Sequence, residues 1–534
     1  MYSLVFRNAR IVDGTGNPWF WSDVGVEDGR IARIGDLSGA AARRTVDVGG
    51  AVLAPGFIDL HTHGDFTLPT FPRAEAMVRQ GVTTQLVGNC GFSPFPVSKE
   101  RLDLLRAYAA FVDAGLSWEW EDAAGYAACL ERLPLACNVA LQVGHGAVRV
   151  AVMGFDDRPP SPQELDAMRD HVARALEQGA FGLSSGLIYV PGSYATTEEL
   201  VALAEVAGRY GAFYSSHIRG EGNSLLDAVG EALAIGRRAG VPVQLSHHKA
   251  MGRQNWGRVG ASLEMIDRAR ASGQDVLADQ YPYTAGSTTL AAIMPKWAMQ
   301  GGVEAMLSRL ADPNQRARIR AEIASPGPEA LSSGTREFDP EAIMISRVPD
   351  GPGKEYEGRM LTEIAAERGE DPVDAALHLL EGGRGGVQMI IFAMSEEDVR
   401  RVLRHPAVAI ASDGWTLSPS AGGRPHPRSY GTFARVLGRY VREDGVLGLE
   451  EAVRKMTSLP SQRLRRYDMG LIRPGCVADL VVFDPERITD LATFQDPHRY
   501  CAGVSHVIVN GAMVIENEVD TGARAGRVLR RGEP

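Results

Sequence analysis

Eight apolar, strand-like runs constrain this chain more than any other feature. They end near His61, Cys90, His145, Ser185, His217, His247, Tyr281 and Asp413, and most are followed by a helical pattern of ordinary length. Strands that alternate with helices read as βαβ units in a parallel sheet, and eight such units close into a (β/α)8 TIM barrel. At 534 residues the chain exceeds one small core, yet a barrel with insertions absorbs most of that length. Two helix starts are explicit: Ser161-Pro162-Gln163-Glu164 and Thr196-Thr197-Glu198-Glu199 each place a glutamate three residues after a capping hydroxyl.

Both ends of the chain have a different texture. Short β-type runs are separated by turns at Asp13-Gly14 and Asp28-Gly29, and the same pattern returns at Ala478–Asp484 and Ser505–Ile515 around the turn Asn510-Gly511. Neither end holds enough apolar residues for its own core, so the two are expected to pack together as one small β-sandwich. The expected organisation is therefore α/β: half of the sandwich over 1–54, the barrel over 55–465, and the other half over 466–534. A stretch rich in Pro, Gly and charge, about 291–358, separates the last two strand-like runs and reads as an inserted subdomain or lid.

A net charge of -10 gives no electrostatic footprint for nucleic acid or an anionic membrane, which leaves a small molecule as the expected partner. Five scattered cysteines make neither a disulfide framework nor a paired zinc motif. The first residues lack a basic start followed by a long apolar stretch, and no apolar run is long enough to span a bilayer, so a cytoplasmic protein is expected.

Chemistry concentrates at the strand ends, where barrel enzymes converge their loops. His61 and His63 are two residues apart on a strand and so point to one face, able to share a metal ion. Cys90, His217, His247 and Asp413 follow at later strand ends. Taken singly, Cys90 reads as a small buried hydrophobe, the histidines as core or surface residues, and Asp413 as a helix cap. Together, imidazole, thiolate and carboxylate form a set suited to Zn²⁺, since Mg²⁺ and Ca²⁺ ask for mostly oxygen. Asp413 is then the candidate general base and acid for a metal-activated water.

These residues resemble the amidohydrolase superfamily, through Pro55-Gly56-Phe57-Ile58-Asp59-Leu60-His61-Thr62-His63 and the later strand-end ligands. Within it, Gly88-Asn89-Cys90-Gly91-Phe92-Ser93-Pro94, Ser216-His217-Ile218-Arg219, Ser246-His247-His248-Lys249 and Ser412-Asp413-Gly414 are similar to the D-aminoacylases, the N-acyl-D-amino-acid deacylases. The resemblance implies a tight zinc held by Cys90, His217 and His247, with room for a second, weaker site at His61, His63 and Asp413. It also implies zinc-dependent hydrolysis of N-acyl-D-amino acids, and a carboxylate-binding set of Tyr189, Lys249, Ser287 and Arg424. Tyr281 and Tyr283 compete for the tyrosine role, and Arg428 stands beside Arg424 in sequence. His145, His248 and Lys296 receive no role, although Lys296 could meet an acidic substrate side chain, where a pocket of Leu187, Ile188 and Met251 would favour an apolar one. Two other readings compete: a cyclic-amide hydrolase of the hydantoinase or dihydroorotase type, and a metal-stabilised binding protein without turnover. The first expects a carboxylated lysine after the fourth strand, where Ser184-Ser185-Gly186 stands instead.

Overall fold

The computed structural model describes residues 1–111, 115–325 and 338–533. All eight strand-like runs form one parallel sheet: Phe57–Asp59, Val82–Val87, Asn138–Gly144, Gly182–Gly186, Phe213–His217, Val243–Leu245, Val276–Gln280 and Val408–Ile410, each beside the next. They are numbered here as barrel strands one to eight. The third, fourth and fifth are buried along their whole length, as a sheet covered on both faces requires. Strands one and eight meet just beyond their ends, where the Asp413 amide donates to the His61 carbonyl at 2.8 Å and His63 donates to the Gly414 carbonyl at 2.8 Å. The seam that closes the barrel thus sets three candidate ligands side by side.

Helices cover the barrel, and their starts follow the sequence with one instructive difference. Ser161 accepts from the Glu164 amide, and the Glu164 side chain reaches back to the Ser161 amide, completing a capping box for the helix Pro162–Glu177. Ser161→Ala should cost about 1 kcal/mol, read as a lowered denaturant midpoint with an unchanged slope. Thr196 also caps its helix, Thr197–Arg209, through the Glu199 amide. The Glu199 carboxylate, however, turns inward to His145 at 2.8 Å and Arg149 at 2.5 Å. A buried carboxylate facing a guanidinium gains more there than at a backbone amide, so the box is left half made.

The two chain ends join one sheet, because Val52–Pro55 pairs antiparallel with Leu480–Phe483. Alternation along that C-terminal strand divides its side chains. Leu480 and Val482 pack with Phe6, Val24 and Ile31 in a core belonging to the terminal strands, whereas Val481 and Phe483 join the main core beside Phe57 and Val82. The last strand, Val528–Leu529, leaves this sheet and pairs parallel with barrel strand three.

Between barrel strands seven and eight the chain makes a separate antiparallel sheet from Gly286–Thr289, Gln388–Ile391 and Ile343–Arg347, in that order, with its own apolar core. The excursion is therefore wider than the stretch 291–358 expected from composition, since its first and last strands lie outside that range. Residues 326–337 of the expected stretch lie outside the described residues. Regular, apolar strands at both ends hid the excursion's limits, because local composition there resembles the barrel. Among the described residues no helix is long and apolar enough to cross a membrane.

Candidate metal centre and substrate cavity

Cys90 stands between two imidazoles, with His61 Nε2 at 3.2 Å and His247 Nε2 at 3.4 Å from its Sγ. His217 Nδ1 lies 2.9 Å from the same His247 Nε2, and Asp413 Oδ1 lies 3.3 Å from His61 Nε2 and 3.2 Å from His63 Nε2. All six strand-end candidates thus converge, and all are buried. Buried imidazoles and a thiol pressed this closely must share protons or a cation. Burial alone would push the Cys90 thiol up, yet the adjacent His61 and His247 rings hold it well below the usual range. Burial likewise opposes charge on Asp413, but Arg428 and His61 keep its carboxyl well below ordinary values. A thiolate, a carboxylate and imidazole nitrogens within 4.8 Å of one another suit zinc, which would take the place of the protons now shared among them. The Nε2 of His217 and the Nδ1 of His63 make no hydrogen bond among the described residues, which leaves both rings with coordinating capacity.

The backbone pays for this convergence. Cys90, His247 and Asp413 occupy the left-handed region, with φ of 55°, 36° and 49°. Non-glycine residues rarely hold that conformation, and where they do the surrounding structure enforces it. Packing around the Cys90 loop does so. A Cβ on Gly88 would lie 2.2 Å from the Gln142 carbonyl oxygen, and one on Gly186 would lie 2.0 Å from the Cys90 carbonyl oxygen. Ser184 adds a clamp, donating to the Gly88 carbonyl and accepting from the Gly91 amide. A serine within strand four therefore props the cysteine loop, and no lysine stands at that strand end, where a cyclic-amide hydrolase is expected to carry a carboxylated one.

Acidic residues behind the ligands fix the rings, and sequence reading passed over them. Asp279, within strand seven, faces His61 Nδ1 at 3.2 Å and accepts from the His247 amide at 2.7 Å and from Gln244 at 2.7 Å. Asp59 accepts from the Ser412 amide at 3.0 Å across the barrel seam. Glu221 faces His247 Nδ1 at 3.0 Å and pairs with Lys249, while burial is overcome by Lys249 and His217 to keep it ionised. Asp279 and Glu221, which face ligand rings, orient those imidazoles and fix their tautomers. Glu221 stands four residues beyond His217, in the loop that follows strand five, which was the only local cue; Asp279 sits within a strand, where an acidic residue reads as an interruption.

A cavity of about 650 Å³ opens onto the cluster, lined in part by Tyr189, Lys249, Met251, Tyr281, Ser287 and Arg428. Arg424 is not among them. It is exposed, and its guanidinium donates to the Gln495 carbonyl at 2.5 Å, away from the metal ligands. Arg428 takes its place: buried on the helix Arg428–Arg435, it pairs with Asp413 Oδ2 at 2.8 Å and lies 4.8 Å from the Tyr281 ring centre. The correction has a simple cause. Arg424 follows two glycines at positive φ, Gly422 and Gly423, in the loop before that helix, whereas Arg428 sits on its first turn and is carried inward with it. Tyr189 donates to or accepts from Thr288 at 2.9 Å, and Ser287 is half-buried in the cavity wall. Of the two tyrosines in question, Tyr281 lines this cavity and Tyr283 does not.

The unassigned residues lie apart. His248 turns away to Ser262 at 2.8 Å, and burial drops it to about 4. His145 is held by Glu199. Lys296 and Leu187 are absent from the cavity lining, whereas Ile188 and Met251 are in it.

Likeness to known proteins agrees with this geometry. The amidohydrolase family pattern matches residues 44–515. An N-acyl-D-glutamate deacylase of Alcaligenes xylosoxydans xylosoxydans is 41% identical over 99% of this chain and 96% of its own. A D-aminoacylase of the same organism is 39% identical over 99% of this chain and 98% of its own. The crystal structure of N-acyl-D-glutamate deacylase from Bordetella bronchiseptica, with zinc and a phosphonate mimic of the tetrahedral intermediate, matches with a TM-score of 0.83 at 38% identity over 99% of both chains. The chain therefore belongs to the amidohydrolase family, in its D-aminoacylase branch.

Proposed function

We propose that this protein hydrolyses N-acyl-D-amino acids to a carboxylate and a free D-amino acid. One observation carries the reading: the thiolate and imidazole cluster, the carboxylate of Asp413 and two cations, Lys249 and Arg428, face one cavity. A tight zinc would be held by Cys90, His217 and His247, and a second, weaker site by His61, His63 and Asp413. Zinc bound there supplies a Lewis acid that polarises the amide carbonyl and makes water acidic enough to attack at neutral pH. Asp413 Oδ1 accepts the proton of the attacking water and passes it to the departing nitrogen, which leaves as an amine. Arg428 keeps that carboxylate charged and ready. Lys249, Arg428, Tyr281 and Ser287 bind the α-carboxylate while Tyr189 faces the carbonyl side, and fixing carboxylate and carbonyl together sets the hand at Cα.

Moving the clamp from Arg424 to Arg428 makes a sharp prediction. Arg428→Met should lower kcat/KM by about 10²-fold or more, because it removes a buried charge from both substrate and Asp413. Arg424→Met should leave kcat/KM within about twofold, as an exposed charge outside the cavity carries little. Steady-state kinetics on the paired variants decides between the two arginines.

The reading itself is tested by amine release from D and L isomers of N-acetyl-methionine, N-acetyl-glutamate and N-acetyl-aspartate with zinc supplied, beside the hydantoin of D-methionine. Turnover confined to the D-acyl substrates is expected. The apolar lining at Met251 and Ile391 favours methionine. Hydrolysis of the hydantoin alone would move the protein to cyclic-amide chemistry.

A further inference from the structure

The scissile amide divides a substrate of this kind into two halves. On its nitrogen side stands the α-carboxylate, and on its carbonyl side the acyl chain, which in a trans amide points away from Cα. The cavity is divided in the same way. Lys249, Tyr281 and Arg428 follow barrel strands six, seven and eight. Phe92, Ile188 and Tyr189 follow strands two and four, on the facing side of the barrel, with the ligand cluster between.

Behind that facing wall lies a second cavity, which shares Phe92, Phe111, Ile188 and Tyr189 with the first and continues between Ala107, Ala291 and Val303. Among the described residues its lining includes no charged side chain. The aromatic wall is firm: Phe92 stacks on Tyr108 with centroids 4.5 Å apart and meets Tyr189 edge-on at 5.0 Å, and Tyr189 in turn meets the ligand His217 at 5.1 Å. An apolar cavity adjoining the carbonyl side of the ligand cluster suits an aliphatic acyl chain.

We infer that the pocket bounded by Phe92, Ile188, Tyr189, Ala107, Ala291 and Val303 is the acyl subsite, and that the enzyme takes N-acyl-D-amino acids with medium-length aliphatic acyl chains in preference to N-acetyl ones. The inference rests on the deacylase reading and adds the acyl class to it. Each methylene buried there should raise kcat/KM by about fourfold until the pocket is full, the equivalent of about 0.8 kcal/mol.

The test is a series of N-acetyl, N-butyryl, N-hexanoyl and N-octanoyl-D-methionine, with N-acetyl-D-alanine alongside, assayed on the zinc-supplied enzyme and two variants that fill the pocket, Ala107→Phe and Ala291→Leu. Ala107 is on a partly exposed helical face, so its variant should fold if Ala291→Leu does not. A rise of at least tenfold from acetyl to the best longer chain is expected, with that ratio collapsing in a folded variant. A flat or falling series in an active enzyme overturns the acyl assignment and leaves the deacylase reading standing. So does a variant that shifts the methionine-to-alanine ratio while leaving the acyl ratio unchanged, since the pocket would then hold the amino-acid side chain. No turnover on any N-acyl-D substrate overturns both.

Discussion

Cys90→Ala is expected to lose the tight zinc and to lower kcat/KM by about 10³-fold or more, upwards of about 4 kcal/mol of transition-state stabilisation. The thiolate contacts two imidazoles at 3.2 and 3.4 Å, so its removal takes away both a donor and the negative charge that lets His61 and His247 stand together. Changes in groups that merely orient metal ligands already cost 10- to 100-fold, by about one or two powers of ten, so loss of a ligand should cost more. Serine offers no remedy, because its hydroxyl stays protonated at neutral pH, and Cys90→Ser should behave like the alanine variant. Zinc per chain after dialysis, measured with activity and circular dichroism, checks this. Full zinc and activity within tenfold of the parent would return Cys90 to the status of a small buried hydrophobe. Chelation of the parent should reproduce the loss, and added zinc should restore it.

The strand ends were legible because two independent patterns coincide there. Apolar runs with helical intervals fix the fold, and ligand-type residues fall where those runs stop. That coincidence brought out His61, His63, Cys90, His217, His247 and Asp413 without reference to their surroundings. What it could not reach was the layer behind them. Asp279 and Asp59 support the ligands across strand contacts, and Glu221 does so from a loop, by relations that sequence distance does not record. Arg424 and Arg428 show the same limit in four residues. Both are arginines in one polar segment, and only the start of the helix at Arg428 decides which one enters the cavity. The excursion after strand seven was recognised by its Pro, Gly and charge, but its limits were not, since its outer strands pair with each other across about 100 residues.

Asp413→Asn separates proton transfer from metal binding and from substrate capture. Asparagine preserves the shape but neither accepts a proton at neutral pH nor carries the charge that faces Arg428 at 2.8 Å and the two histidines at 3.2 and 3.3 Å. A general base of this kind contributes about 10²- to 10⁴-fold, so kcat should fall by about 10³. The effect should lie in kcat, because Lys249, Tyr281 and Ser287 still hold the substrate carboxylate. Zinc at Cys90, His217 and His247 should remain near one per chain, since none of these ligands is altered. Stability should fall as well, because the buried Arg428 loses its counter-charge, at a cost of about 3–5 kcal/mol for breaking such a pair. Kinetics well below the melting temperature, with zinc counted on the same sample, keep the two consequences apart. A kcat within tenfold of the parent would mean that the proton travels elsewhere and that Asp413 serves the cluster only as a charge. A lost zinc would instead make it a ligand of the tight site, and the division into a tight and a weak site would have to be redrawn around His61, Cys90, His247 and Asp413, whose donor atoms already lie within 4.8 Å of one another.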